Sequence, residues 1–181
     1  MNLVVVSYSL TGNNRALAQS VAKKLQAKHI DITEKRVKKR TMGTCAKDLL
    51  FNLTPSTEPP ADIISRDDSV LLVGPVWMGS VATPLRAYLK RIKQLGCPYA
   101  FLTISGGADG HNLKLQGELT RRVKRTPLAV LDLTIADLKF KGASPTRDDT
   151  SRYQITEEDI QVLTDLALPA LDVLTGKGQV K

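Results

Sequence analysis

Histidine is scarce in this chain, with two among 181 residues, His29 and His111. That excludes a metal centre built from several imidazoles. Cysteine is as scarce. Cys45 and Cys97 stand far apart, in no metal-binding or redox spacing. Two isolated thiols suit a reducing compartment better than a disulfide scaffold. Aromatic residues make up only 4%, and no recognised nucleic-acid motif is present, so nucleic acid is not an expected partner. No apolar run approaches membrane-spanning length, so no membrane partner is expected. No basic leader precedes the first apolar run. A secretory signal is therefore not expected, and the expected compartment is the cytoplasm.

Several catalytic signatures are missing too. There is no G-x-x-x-x-G-K-[ST] loop and no G-x-G-x-x-G fingerprint. A phosphoacceptor receiver domain needs an acidic pair after its first strand and an Asp ending its third. Those places hold Ser7-Tyr8-Ser9 and Gly74-Pro75. A small tyrosine phosphatase needs Cys-x5-Arg, but Phe51 and Thr103 occupy the Arg positions after Cys45 and Cys97.

What is present is regular alternation. Strand-like apolar runs lie near 2–8, 29–34, 69–74, 99–105 and 128–134, with helical patterns between them. Leu17, Ala18, Val21, Ala22 and Leu25 form one stripe at helical spacing, and Leu85, Tyr88, Leu89 and Ile92 another. Leu113, Leu115 and Leu119 form a weaker one. Thr156 followed by Glu157, Glu158 and Asp159 reads as the capped start of a last helix, bent at Pro169. Continuously apolar strands alternating with helices predict a parallel sheet covered on both faces. Length and an apolar content of 42% suit one domain over residues 1–181.

The segment Ser9-Leu10-Thr11-Gly12-Asn13-Asn14 stands between the first strand and the first helix. A strand that turns through hydroxyl, glycine and amide residues into a helix leaves backbone N–H groups free at a helix N-terminus. That is an anion site, and the loop itself carries no charge. Ser9, Thr11, Asn13 and Asn14 are the candidate side-chain donors, and Gly12 permits positive φ.

This loop resembles the S/T-x-T-G-N-T phosphate loop of flavodoxin-like FMN-binding proteins, with Asn14 where that family usually has Thr. Val70–Gly74 followed by Pro75-Val76-Trp77-Met78-Gly79 resembles the family's third strand and a loop against the flavin ring. Thr83–Leu89 resembles the next helix, and Ser105-Gly106-Gly107 the other flavin-contacting loop. The resemblance covers roughly residues 2–135. It implies a flavodoxin-like α/β three-layer sandwich, with a five-stranded parallel sheet of order 2-1-3-4-5. Ligands of such a sheet bind beyond the strand C-termini, where strand order reverses, as FMN does in flavodoxin itself. The implied cofactor is FMN, with Trp77 stacked on its ring and Gly106-Gly107 letting backbone approach it. No residue is required as general acid, base or nucleophile. His111 lies in the third loop within reach of a ligand or is a plain surface histidine, Tyr99 is a packing residue, and Tyr153 is a candidate lid residue.

Two functions follow from the resemblance. One is an FMN oxidoreductase that takes hydride from NAD(P)H and reduces a quinone or other small acceptor. The other is an electron-transfer protein working between redox protein partners. A third is a flavodoxin-like domain that no longer binds flavin. The net charge of +8 departs from the acidic balance of familiar flavodoxins. Lys35-Arg36-Val37-Lys38-Lys39-Arg40 reads as a solvated, mobile loop near the cofactor edge. If it has a role, it draws a negatively charged donor. Arg121-Arg122-Val123-Lys124-Arg125 reads as cations complementing a helix C-terminus. Residues 41–68 read as a short helix and a loop, and 139–155 as a long polar excursion.

Overall fold

The computed structural model of the chain describes residues 2–35, 40–140 and 145–175. Five parallel strands form the central sheet: β1 (Asn2–Ser7), β2 (Lys28–Asp31), β3 (Asp68–Val73), β4 (Tyr99–Ser105) and β5 (Val130–Thr134). Their order is β2-β1-β3-β4-β5, the flavodoxin-like order expected from the sequence.

The helices are α1 (Asn13–Lys24), α2 (Met42–Leu50), α3 (Arg86–Leu95), α4 (Leu115–Val123), α5 (Ile135–Lys139), α6 (Arg147–Ser151) and α7 (Glu157–Leu171). Successive strand residues point to opposite faces. Val4, Val6, Val70, Leu72, Tyr99 and Phe101 therefore pack with Tyr88, Ile92 and Leu119 of α3 and α4. Val5, Leu71, Ala100 and Leu102 pack on the other face with Leu17 and Val21 of α1 and Leu163 and Ala167 of α7. Each large side chain fully buried in these layers is worth about 1.5–3 kcal/mol of transfer free energy.

Two local outcomes differ from the sequence reading. The second strand ends at Asp31, and Thr33–Glu34 leaves the sheet to pair antiparallel with Thr57–Glu58. The basic stretch is not uniformly a solvated loop. Arg36 to Lys39 lie outside the described residues, but the Arg40 side chain is only 2% exposed.

Other expectations hold at the level of caps. The Thr156 hydroxyl accepts from the Asp159 N–H in a reciprocal capping box, and Pro169 lies inside α7. Thr41 caps the short helix α2 in the same way. Arg122 pairs with Glu118, and Arg125 donates to the carbonyl of Gly96 at the end of α3. That cluster does serve helix ends.

Sheet order reverses between β1 and β3, so the loops leaving their C-terminal ends diverge and open a crevice. The ladder runs one residue past each strand: Tyr8 N–H donates to Val73 O at 3.0 Å and Gly74 N–H to Leu102 O at 3.1 Å. Both loops thus leave the sheet from fixed positions.

Candidate functional site

The loop after β1 is shaped by its own hydroxyl. Ser9 Oγ accepts the N–H of Gly12 at 2.9 Å. This turn drives Gly12 to φ 105°, where a side chain would be strained. No side chain caps α1. Among the described residues, the backbone N–H groups of Thr11, Asn13 and Asn14 have no protein acceptor. They stand at the positive end of a twelve-residue helix, which is a site for an anion. Arg15, the next cation along the chain, is paired with Asp31.

The asparagine side chains line the cavity and also tie the loop to distant parts of the chain. Asn14 is buried and bridges to β4, giving its Nδ2–H to Ile104 O at 3.1 Å and accepting the Ile104 N–H at 3.0 Å. Asn13 reaches the far end of the sequence. Its Nδ2–H goes to Tyr153 O at 2.8 Å, and its Oδ1 accepts the Ile155 N–H at 3.3 Å. Both amides are engaged inside the protein.

The second loop is a tight hairpin. Val76–Trp77 pairs with Ser80–Val81, and the turn residues Met78 and Gly79 have φ of 51° and 75°. Trp77 is 7% exposed, while Met78 is 75% exposed. The Trp77 ring has the Arg40 guanidinium 4.8 Å from its centroid and meets Tyr8 edge-on at 5.9 Å. An open Trp77 face for stacking, expected from the sequence, is therefore not presented.

Arg40 is itself held by carboxylates. Its Nε donates to Glu34 Oε1 at 2.7 Å and its Nη2 to Asp48 Oδ2 at 2.9 Å, with a further bond to Glu34 Oε2. Burial opposes its charge, but the bonds to Glu34 and Asp48 outweigh that and raise its pKa. The Tyr8 hydroxyl donates to Glu34 at 2.6 Å. Burial first, and then that bond, push its pKa up.

The third loop also departs from expectation. A Cβ on Gly106 would lie 2.7 Å from Thr150 Oγ1, and one on Gly107 would lie 2.5 Å from Thr134 Cβ. Their smallness admits neighbouring segments of this chain, while Gly106 also lines the cavity between the loops. His111 lies with Nδ1 3.1 Å from Asp132 O and Nε2 3.2 Å from Asp137 Oδ2. It faces a separate cavity of about 550 Å³ beside β5 and α7. Tyr99 is fully buried packing, as expected.

These loops line a cavity of about 160 Å³ that is open to solvent on one side. Leu10, Thr11, Asn13, Asn14, Pro75, Val76, Trp77, Ser105 and Gly106 line it. Ser9, Gly12, Met78, Gly79 and Gly107 do not; the first two shape the loop beneath it, and Met78 and Gly79 form the hairpin tip. Ile104, Ile135, Thr150 and Ser151 also line the cavity and were not foreseen. Ile104 and Ile135 lie just before and after segments already in view. Thr150 and Ser151 come from the polar excursion, where no local signal marks them. A larger cleft of about 980 Å³ lies at the N-terminal edge of the strands, lined by Asn2, Lys28 and Asp68. That is the edge away from the crevice of a parallel sheet. Among the described residues there is no acid, His or Cys cluster suited to a metal, and no helix is long and apolar enough to cross a membrane.

The donor set suits a phosphate monoester such as that of FMN. Three free N–H groups and the Thr11 hydroxyl converge without a fixed cation. The walled part is smaller than the about 300–1,000 Å³ common for ligand pockets, and it is open to solvent on one side, so it suits one end of a flavin nucleotide without enclosing the whole. Thr150 and Ser151 contribute one part of its lining.

No protein-family model matches the chain, and no curated protein matches it. Solved structures do resemble it. One is a flavoprotein of Lactobacillus acidophilus in complex with FMN, with a TM-score of 0.58 at 16% identity, covering 77% of this chain and 97% of that one. A candidate flavoprotein of Bacteroides eggerthii has a TM-score of 0.62 at 13% identity over 99% of both chains. A candidate flavoprotein of Bacteroides uniformis gives 0.59 at 14% identity, over 83% of this chain and 96% of that one. At such identities the likeness establishes the fold, which is flavodoxin-like.

Proposed function

We propose that this chain binds FMN at the C-terminal edge of β1 and β3 and acts as an oxidoreductase. In this reading it takes reducing equivalents from NAD(P)H and passes them to a quinone or another small acceptor. The observation that carries the reading is the set of unpartnered N–H groups of Thr11, Asn13 and Asn14 at the start of α1. They stand at the switch point of a flavodoxin-like sheet. The FMN bound to the Lactobacillus acidophilus flavoprotein of the same fold supports the choice of ligand.

The backbone donors and the Thr11 hydroxyl would hold the phosphate by dipoles and hydrogen bonds alone. Pro75, Val76 and the edge of Trp77 would meet the ring side, and Ser105 and Gly106 the opposite wall. The redox chemistry is the flavin's, transfer of a hydride or of single electrons. The chain binds, orients and shields it, and no side chain is assigned a proton transfer. A second reading is an electron carrier docking an acidic protein partner; the net charge of +8 suits that partner and an anionic NAD(P)H alike.

Flavin released from the purified protein and separated by chromatography tests the cofactor. FMN is the expected species, because no dinucleotide fingerprint is present to hold the pyrophosphate of FAD. FAD alone, or no flavin uptake on reconstitution, rejects the reading. NAD(P)H oxidation with and without a quinone then separates enzyme from carrier.

A further inference from the structure

We infer that the segment Thr146–Ile155 is the outer wall of the cofactor site, and that Asn13 is the positioning residue that latches it shut. Flavin then enters and leaves faster when this latch opens. The inference rests on the FMN reading above.

Three observations converge on it. First, the cavity of about 160 Å³ is open to solvent on one side, and Thr150 and Ser151 of α6 line it together with the phosphate loop. Secondly, α6 is seated on the site itself. Thr150 lies so close to Gly106 that a Cβ there would come within 2.7 Å of its hydroxyl. Thirdly, the chain leaving α6 is tied to the phosphate loop by one side chain. The Asn13 amide donates to Tyr153 O and accepts from Ile155 N–H, filling both halves of an amide as a neighbouring strand would.

The rest of the seat is light. Residues 146–149, 151 and 152 are exposed. Arg147 pairs with Asp109 at 2.8 Å, but the two side chains are 81% and 70% exposed, so that pair adds little. Beyond the latch, the Tyr153 hydroxyl donates to buried Asp159 at 2.6 Å. Thr150 is buried, and Tyr153 and Ile155 pack against the core on the α1 and α7 face. Residues 146–152 carry no large apolar side chain, so that stretch opens at low cost. Opening about a hinge beyond Tyr153 would widen the cavity without disturbing the sheet.

Asn13 is also the first residue of α1. Its backbone N–H faces the anion position while its side chain holds the wall. A phosphate bound at the helix N-terminus fixes the residue that carries the latch, so ligand and wall stabilise each other.

The test uses the full chain and trypsin, following cleavage after Arg152 by mass spectrometry, with and without FMN. FMN should slow this cleavage. Asn13→Ala removes two hydrogen bonds and should speed cleavage of the ligand-free chain about tenfold. The same variant should raise both the association and the dissociation rate of flavin. It should weaken FMN and riboflavin by the same factor, because the wall encloses both. Gly106→Ala is the second variant, its methyl displacing Thr150, and should act in the same direction. Unchanged cleavage after Arg152 in both variants overturns the latch. A loss confined to FMN, with riboflavin unaffected, also overturns it and makes Asn13 a phosphate donor. A wild-type chain that takes up no flavin overturns the functional reading and the gate with it, while the cleavage rates still decide the latch.

Discussion

The guanidinium of Arg40 lies 4.8 Å from the centroid of the Trp77 ring. This contact joins the end of the basic stretch after β2 to the hairpin after β3, on the sheet face that carries α2 and α3. Trp77 thereby becomes a buried anchor of the hairpin, and the exposed position at the tip passes to Met78. The geometry assigns Arg40 a structural role that a reading of net charge alone would miss.

Arg40→Ala should therefore cost far more than the loss of a surface cation. Glu34 and Asp48 share this guanidinium, and their side chains are 7% and 4% exposed. Removing one partner of a buried ion network costs about 3–5 kcal/mol. Urea unfolding followed by Trp77 emission should show that loss, together with a shift of the emission maximum. A loss below about 1 kcal/mol, the range of exposed pairs, would show that the network contributes little.

The same contrast explains which parts of the molecule were legible beforehand. The sheet was legible because Val4–Val6, Val70–Val73 and Ala100–Leu102 are continuous apolar runs alternating with helical stripes. The anion loop was legible because its signal is local: hydroxyl, glycine and amide between a strand and a helix. The Thr156 cap was legible for the same reason, a threonine three residues before an acid. The internal bonds of Asn14 and Asn13 are not legible in the sequence because their partners lie 90 and 140 residues away. Nothing near either residue says whether an amide faces a ligand or a distant backbone. Thr150 and Ser151 were missed because a polar run reads as solvated surface whether or not it covers a site.

His29 makes the fold sensitive to acid. Its Nε2 lies 2.9 Å from Ser7 Oγ at the end of β1. Burial lowers its pKa below the ordinary 6.5, with Asp31 opposing and Arg15 assisting. The neutral ring is thus favoured in the folded state. Below pH 6.5 the unfolded chain binds the proton more readily, so stability falls as pH drops from 6.5 through the folded-state value. His29→Gln should flatten that part of the stability curve, measured by urea unfolding between about pH 7 and 5, the span in which an imidazole titrates. An unchanged slope would assign the acid sensitivity to other groups.

Met78 carries backbone strain, with φ of 51° on a residue that has a side chain. The left-handed region costs a non-glycine residue about 1–2 kcal/mol. Met78→Gly should recover about 1 kcal/mol of that, read as a higher unfolding midpoint in urea. A lower midpoint would mean that the exposed thioether makes contacts worth more than the strain.

Thr11 gives the sharpest test of what the loop holds. Its backbone N–H is unpartnered, and its residue lines the cavity at the start of α1. If a flavin phosphate sits there, the hydroxyl donates to a charged oxygen, and such a bond is worth about 1.5–3 kcal/mol. Thr11→Ala should weaken FMN by that amount and leave riboflavin nearly unchanged, since riboflavin has no phosphate. Titration of both ligands by flavin fluorescence provides the comparison. The difference between the two ligands matters more than either loss alone, because general damage to the loop would weaken both together. Equal losses would place Thr11 away from the phosphate and remove the side-chain half of the proposed anion site, leaving only the helix N-terminus.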